Sequence, residues 1–215
     1  VTLAATSAGT INWYTTSTGG SSVYSGTSYI TPSISTTTDY YVDATLNGCT
    51  TASRTAITAT VNPLPTASIS AGGATTFCVG GSVTLSASTG TYSYSWSTGA
   101  TTQNINVTTS GSYTVTITDA NSCSATSTAT TVTVNPLPTA ITGPVSVCVG
   151  STVTVNSTPA GGTWTSSTPS LATVGSSSGV VTGIGSGGPT ITYTLTTGCR
   201  TTRQESVNPV PSVIT

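Results

Sequence analysis

Few residues in this chain could do chemistry, and their types narrow the choice further. Of 215 residues only seven carry charge: Asp39, Asp43, Arg54, Asp119, Arg200, Arg203 and Glu205. Histidine, lysine and methionine are absent. General acid–base catalysis near neutral pH draws mainly on His, Lys or paired carboxylates. Asp39 and Asp43 are the nearest carboxylate pair, but on a strand four residues span about 13 Å, beyond the roughly 5–9.5 Å that glycosidases use. Asp43 is expected opposite Arg54 across a hairpin centred on Asn47-Gly48, as an exposed ion pair worth under ~1 kcal/mol. Asp119 with Asn121 offers too few oxygens for calcium, which takes roughly six to eight, so a turn-forming role is expected there. Arg200, Arg203 and Glu205 are expected to decorate a solvent-facing strand. No catalytic residue, cofactor site or metal site is expected, and the chain reads as a non-enzyme.

The same scarcity excludes several partners. Three arginines against four acids cannot neutralise a phosphate backbone, so nucleic acid is excluded. A net charge of -1 steers nothing over long range. No apolar run approaches the ~20 residues of a membrane span, so no membrane insertion is expected. Low charge does not mean disorder, because hydrophobic residues make up 35% of the chain, with three Trp, nine Tyr and abundant Val, Ile and Thr. Serine and threonine supply about two residues in five.

The elements that carry these residues repeat. Val61-Asn-Pro-Leu-Pro65, Val134-Asn-Pro-Leu-Pro138 and Val207-Asn-Pro-Val-Pro211 recur at intervals of 73 residues and hold six of the eleven prolines. Pro-x-Pro fixes φ at two positions, making a short stiff connector. After each of the first two connectors comes a second phrase, Cys78-Val-Gly-Gly-Ser-Val-Thr-Leu85 and then Cys148-Val-Gly-Ser-Thr-Val-Thr-Val155. Val1-Thr-Leu3 matches the end of that phrase without its cysteine, so the first module is expected to lack its N-terminal segment. Pro211-Ser-Val-Ile-Thr215 mirrors Pro138-Thr-Ala-Ile-Thr142 as the start of another module. The expected organisation is therefore a truncated module at 1–63, complete modules at 64–136 and 137–211, and a fourth beginning at 212–215, cut from a longer array.

Period-2 alternation bounded by Gly, Ser, Asn or Pro predicts strands throughout, with no helical stripe. Six or seven short strands per module predict an all-β fold of three tandem Ig-like β-sandwiches. Each module has one tryptophan, Trp13, Trp96 or Trp164, expected in its core. Five cysteines without CxxC or His argue against zinc and for disulfides. Pairs are expected within modules, Cys78 with Cys123 and Cys148 with Cys199, leaving Cys49 unpaired. Each such bridge would close a loop of ~45 residues and contribute on the order of 4 kcal/mol to a small core. Disulfides imply an oxidising, extracellular setting. The sequons Asn106-Val-Thr108 and Asn156-Ser-Thr158 are expected by chance at this Ser/Thr density. Tyr14, Tyr24 and Tyr29, in the tyrosine-rich first module, are the candidate glycan contacts.

Ile11-Asn-Trp-Tyr14, Thr38-Asp-Tyr-Tyr-Val42 and Asn47-Gly-Cys49 together resemble the Ig-like repeats of very large Bacteroidetes surface proteins. Tyr94-Ser-Trp96 through Gln103, with Gly111-Ser-Tyr113 through Cys123, resembles repeats of SprB-type gliding-motility adhesins. There Ser122 stands where Gly is usual. Trp164 through Val174, with Gly179-Val-Val-Thr-Gly183, is similar to bacterial group 2 Ig-like domains. The resemblance implies export, by the type IX system, to the cell surface. Three roles are compatible with it: a rigid spacer of an adhesin, contacting neighbouring modules of the same chain; a carbohydrate-binding module for surface polysaccharide; or a filament subunit completed by a neighbour's strand.

Because almost nothing titrates between about pH 5 and pH 9, thermal stability should be flat across that range. A melting series in buffers of matched ionic strength checks this, and a shift of several degrees would count against it.

Overall fold

A computed structural model describes residues 1–212; the tail of the expected fourth-module start, residues 213–215, lies outside the described residues. Every regular element among the described residues is a β-strand. The cause is visible in the strand Val115–Thr118, where Val115 and Ile117 are fully buried while Thr116 and Thr118 face outward. The outward threonines bond to the next strand, Thr116 to Thr126 and Thr118 to Ser124, each pair at 2.8 Å. Hydroxyl pairs of this kind do on the solvent faces what ion pairs do elsewhere.

Three hydrophobic cores form, one around each tryptophan. The first gathers Leu3, Ile11, Tyr40 and Ala59 around Trp13. Trp96 sits among Leu85, Val115, Ile117 and Val132. Trp164 sits among Val155, Val181, Ile191 and Tyr193. The exposures of the three tryptophans are 0%, 3% and 5%, so all three are core residues. A buried indole N–H needs an acceptor. Trp13 donates to the Gly26 carbonyl at 2.8 Å and Trp96 to that of Thr102 at 2.7 Å.

The chain divides into two compact units, Val1–Pro65 with Thr118–Ala125, and Thr66–Ile117 with Thr126 onward. In the first, Thr2–Ala4 pairs with Ser28–Ile30, and Thr10–Tyr14 lies between Tyr24–Ser25 and the long strand Thr38–Leu46. That long strand turns back at Asn47-Gly48, both with positive φ, into Cys49–Thr50 and Thr55–Ala59. The second unit holds two sandwiches. In one, Val83–Ala87 is flanked by Ile69–Ala71 and Asn104–Val107, and Thr130–Asn135 by Gly111–Tyr113 and Thr76–Cys78. In the other, Val180–Gly183 is flanked by Thr152–Thr154 and Ala172–Val174, and Thr190–Thr194 by Thr163–Ser166 and Arg200–Gln204. Two parallel pairings recur: Cys78 lies beside Asn135, and Cys148 beside Asn208.

Gly179 shows how closely the third core is packed. Its φ is +67°, and a Cβ there would meet the Val155 carbonyl oxygen and the Trp164 ring. Gly179→Ala should destabilise the third module by about 1–3 kcal/mol, read as a lowered denaturant midpoint by Trp fluorescence. An unchanged midpoint would show that the Trp164 pocket yields.

Candidate functional site

The charged residues are mostly interior. Asp43 and Arg54 do meet across the Asn47-Gly48 hairpin, at 3.6 Å, but their side chains are only 8% and 13% exposed. The expectation of an exposed pair is corrected here, because Arg54 is covered on both sides. Its guanidinium carbon lies 3.2 Å from the Tyr14 ring centroid, and Nη1 donates to the Thr16 and Gly19 carbonyls. Asp43 also accepts from the Asn12 amide at 3.1 Å, on the strand beside it. Asp39 instead accepts from Thr58 at 2.6 Å. Asp119 closes a turn: Oδ1 accepts the backbone N–H of Asn121 and of Cys123, each at 2.9 Å.

Arg203 and Glu205 depart further from expectation. They do not decorate a solvent-facing strand: Glu205 is fully buried and the Arg203 side chain is 17% exposed. Arg203 donates Nη2 and Nε to Glu205 at 2.8 and 3.2 Å, and also reaches the carbonyls of Ile141, Gly143 and Pro144. The guanidinium thereby ties the segment entering the third module to its late strands. The carbonyls that Arg203 gathers come from about sixty residues earlier, which strand alternation alone does not reveal. Glu205 Oε1 has no hydrogen-bond partner among the described residues. Arg200 is exposed.

The three candidate tyrosines do not form one flat platform. Tyr14 is capped by Arg54. Tyr29 is stacked on Trp13 at 5.5 Å and meets Tyr40 edge-on at 5.4 Å. Tyr24, 47% exposed, is tilted 35° from Tyr29. Burial first, then the Asp43 carboxylate, hold the Tyr14 proton above its ordinary range against the opposing pull of Arg54. Burial, with Tyr40 second, does the same for Tyr29. No group of three or more His, Cys, Asp or Glu among the described residues is placed to hold a metal. No helix among them is long and apolar enough to cross a membrane.

Cysteine pairing is the main correction. Cys78 bonds Cys199, with Cα atoms 5.6 Å apart and a sequence separation of 121. Cys78–Cys123 and Cys148–Cys199 do not form, and Cys123 and Cys148 join Cys49 as free thiols. Strand direction is the reason. Cys78 lies beside Asn135, whereas Cys123 starts the segment that ends at Asn135 twelve residues later. That is roughly 40 Å of extended chain, far beyond the ~7 Å limit between bridged Cα atoms. Cys148 likewise lies beside Asn208, nine residues beyond Cys199. A module's two cysteines therefore sit at opposite ends of its last strand run.

The bridge crosses the connector between the second and third cores. Asn135, in that connector, accepts Val79 N–H at 2.9 Å. The Cys199 sulfur lies 3.8 Å from the same carbonyl oxygen. Oxidised, that sulfur has no proton to donate, so the approach is a packing contact. Cys199 itself is 1% exposed, at the tip of a hairpin closed by Leu195 N–H to Cys199 O at 2.8 Å. The connector phrase and the cysteines were each legible as motifs, but the bond joining them was not.

Residues 1–63 match the family described as Ig-like domain CHU_C associated. No curated protein sequence matches the chain. Among solved structures, the C-terminal 282-residue fragment of intimin, in complex with the intimin-binding domain of its translocated receptor, aligns at 17% identity and a TM-score of 0.42. That alignment covers 65% of this chain and 63% of the fragment. The three N-terminal domains of the highly immunogenic outer capsid protein of bacteriophage RB49 align at 15% identity over 98% of this chain and 94% of theirs, with a TM-score of 0.41. The insect immune protein hemolin aligns at 14% identity over 93% and 67%, with a TM-score of 0.36. The chain is an all-β array of tandem Ig-like β-sandwich modules, with the Ig-like family model covering the first.

Three predictions attach to these contacts. Arg203→Met should cost about 3–5 kcal/mol by stranding a buried carboxylate, and adding Glu205→Leu should recover much of it; a double-mutant cycle in urea checks both. Before reduction three thiols per chain should react with an alkylating reagent in denaturant, and five after. A folded-state tyrosine pKa raised above its unfolded value contributes stability that is complete below the unfolded pKa and lost as pH rises past it. Unfolding of the first module should therefore set in above about pH 10, followed by tyrosine absorbance and far-UV dichroism together.

Proposed function

We propose that this chain is a non-catalytic spacer segment of a large secreted or cell-surface adhesin, holding a binding end away from the surface that bears it. The observation that carries the reading is the Cys78–Cys199 bond, which spans the stiff Asn-Pro-Leu-Pro connector and limits hinging between two beads. A chain with seven charges, mostly internal, would also respond little to salt. With no lysine and three arginines it would offer few sites to trypsin-like proteases. The Ig-like match over residues 1–63 is consistent with this setting. Export by the type IX system and a part in gliding motility are finer proposals resting on the resemblance of the repeats.

A second reading is a filament subunit. Among the described strands, Thr2–Ala4 pairs only with Ser28–Ile30, leaving that two-stranded sheet with open edges. An incoming strand could pair there.

Small-angle scattering over a concentration series, with a glycan array on the same sample, separates these. The spacer reading expects a particle that stays monomeric across the series and binds no glycan. Polymerisation that grows with concentration would favour the filament. Glycan binding lost on Tyr24→Ala would favour a carbohydrate-binding module and overturn the spacer reading.

A further inference from the structure

The free thiols are not scattered. Cys123 and Cys199 occupy matching places, each at a hairpin tip directly after a residue with positive φ, Ser122 at 64° and Gly198 at 85°. The closing bonds match as well: Asp119 N–H to Cys123 O at 3.0 Å, and Leu195 N–H to Cys199 O at 2.8 Å. Cys49 follows Gly48, at φ 82°, in the same way.

Cys148 in turn matches Cys78. Each ends a short strand paired in parallel with the strand that leads into a connector, Cys78 beside Asn135 and Cys148 beside Asn208. The surrounding backbone repeats closely. Val79 N–H donates to Asn135 O and Val149 N–H to Asn208 O, both at 2.9 Å. Gly81 N–H returns to Cys78 O at 2.9 Å and Ser151 N–H to Cys148 O at 3.0 Å. The difference lies in occupancy. Beside Asn135 the hairpin-tip Cys199 of the next module is bonded to Cys78, whereas Cys148 is an exposed free thiol. A formed disulfide at the equivalent place is what separates Cys148 from an isolated surface cysteine.

We propose that Cys148 is the attachment site for the next bead: it forms a disulfide with the hairpin-tip cysteine of an Ig-like module following Pro211. Cys78–Cys199 is then one rung of a repeating staple in which each module's opening cysteine bonds the hairpin tip of its successor. Cys123 is the reciprocal half-site, and its hairpin, Thr118–Ala125, groups with Val1–Pro65 in one compact unit. The rung spans 121 residues while the connectors recur every 73, so successive covalent loops overlap and no connector lies outside one. Closing a rung takes two electrons and two protons from a pair of thiols. A disulfide oxidant such as oxidised glutathione accepts them through a mixed-disulfide intermediate and leaves as two thiols. The inference rests on the repeat geometry and not on the spacer reading, so it stands even if a module binds glycan.

The test extends the full chain beyond Thr215 with a copy of residues 143–211, which continues the repeat in register. Thr201→Ser and Cys148→Ser in the copy alone give its hairpin-cysteine peptide a distinct mass and leave the original Cys148 as the sole cysteine at that position. After oxidation with a glutathione couple, peptides are mapped without reduction. The expected result is two bonds, Cys78 to the original Cys199 and Cys148 to the copied hairpin cysteine, with loss of Cys148 alkylation. The parent chain under the same conditions should keep Cys148 fully alkylated, and Cys148→Ser in the extended chain should free the copied hairpin cysteine. Three outcomes would overturn the proposal: Cys148 alkylated in an extended chain that has formed Cys78–Cys199, Cys148 bonded to Cys199 of its own module, or Cys148 bonded only between separate chains. The spacer reading is judged by scattering and glycan binding, so its failure is a separate result.

Discussion

A bead of about seventy residues buries too little apolar surface to be generously stable, and that limit shapes everything else in this chain. The second and third cores each gather nine buried side chains, and the first only five. Each bead adds something beyond its core. The first holds the Asp43–Arg54 pair with Arg54 laid on Tyr14. The third holds the Arg203–Glu205 pair, and the second and third share the Cys78–Cys199 bond. That bond closes a loop of 121 residues, which the chain-entropy account values at about 5 kcal/mol.

The same limit changes the meaning of the seven charges. Scarcity suggests that charge is dispensable here, yet Asp43, Arg54, Arg203 and Glu205 are largely buried and Asp119 organises a turn. Solvation is left to hydroxyls, which pair across strands at 2.8–2.9 Å, as Thr116 does with Thr126 and Thr45 with Thr50. Charges remain mostly where one geometry has to be selected over others. A single guanidinium that gathers three carbonyls and a carboxylate fixes a segment more specifically than a hydroxyl could.

Much of the fold was legible because the information is local. Alternation at Val115–Ile117 reports which face is buried, whatever the other sheet contains. The Asn47-Gly48 turn sets the first pairs of the hairpin, Leu46 with Cys49 and Thr45 with Thr50, while a two-residue shift of register beyond them brings Arg54 level with Asp43. Nor could counting supply the cover over that pair, since Tyr14 and the Thr16–Gly19 loop arrive from another hairpin. The candidate tyrosines failed as a flat platform for a similar reason: Tyr29 is claimed by Trp13 and Tyr40, residues on two other strands.

By itself the sequence determined the β class, the repeat, the tryptophan-centred cores and the scarcity of ionisable groups, because these follow from residue type and spacing within a few strands. Tertiary structure alone decided the cysteine partners and the burial of Glu205. A disulfide requires two Cβ atoms within a few ångströms, and the direction in which each strand runs decides which cysteines come that close. Cys78 and Cys123 look like partners when read along the chain, but the run from Cys123 to Asn135 carries them apart. Asn135 and its connector bring Cys199 to Cys78 instead, and the bond falls between beads.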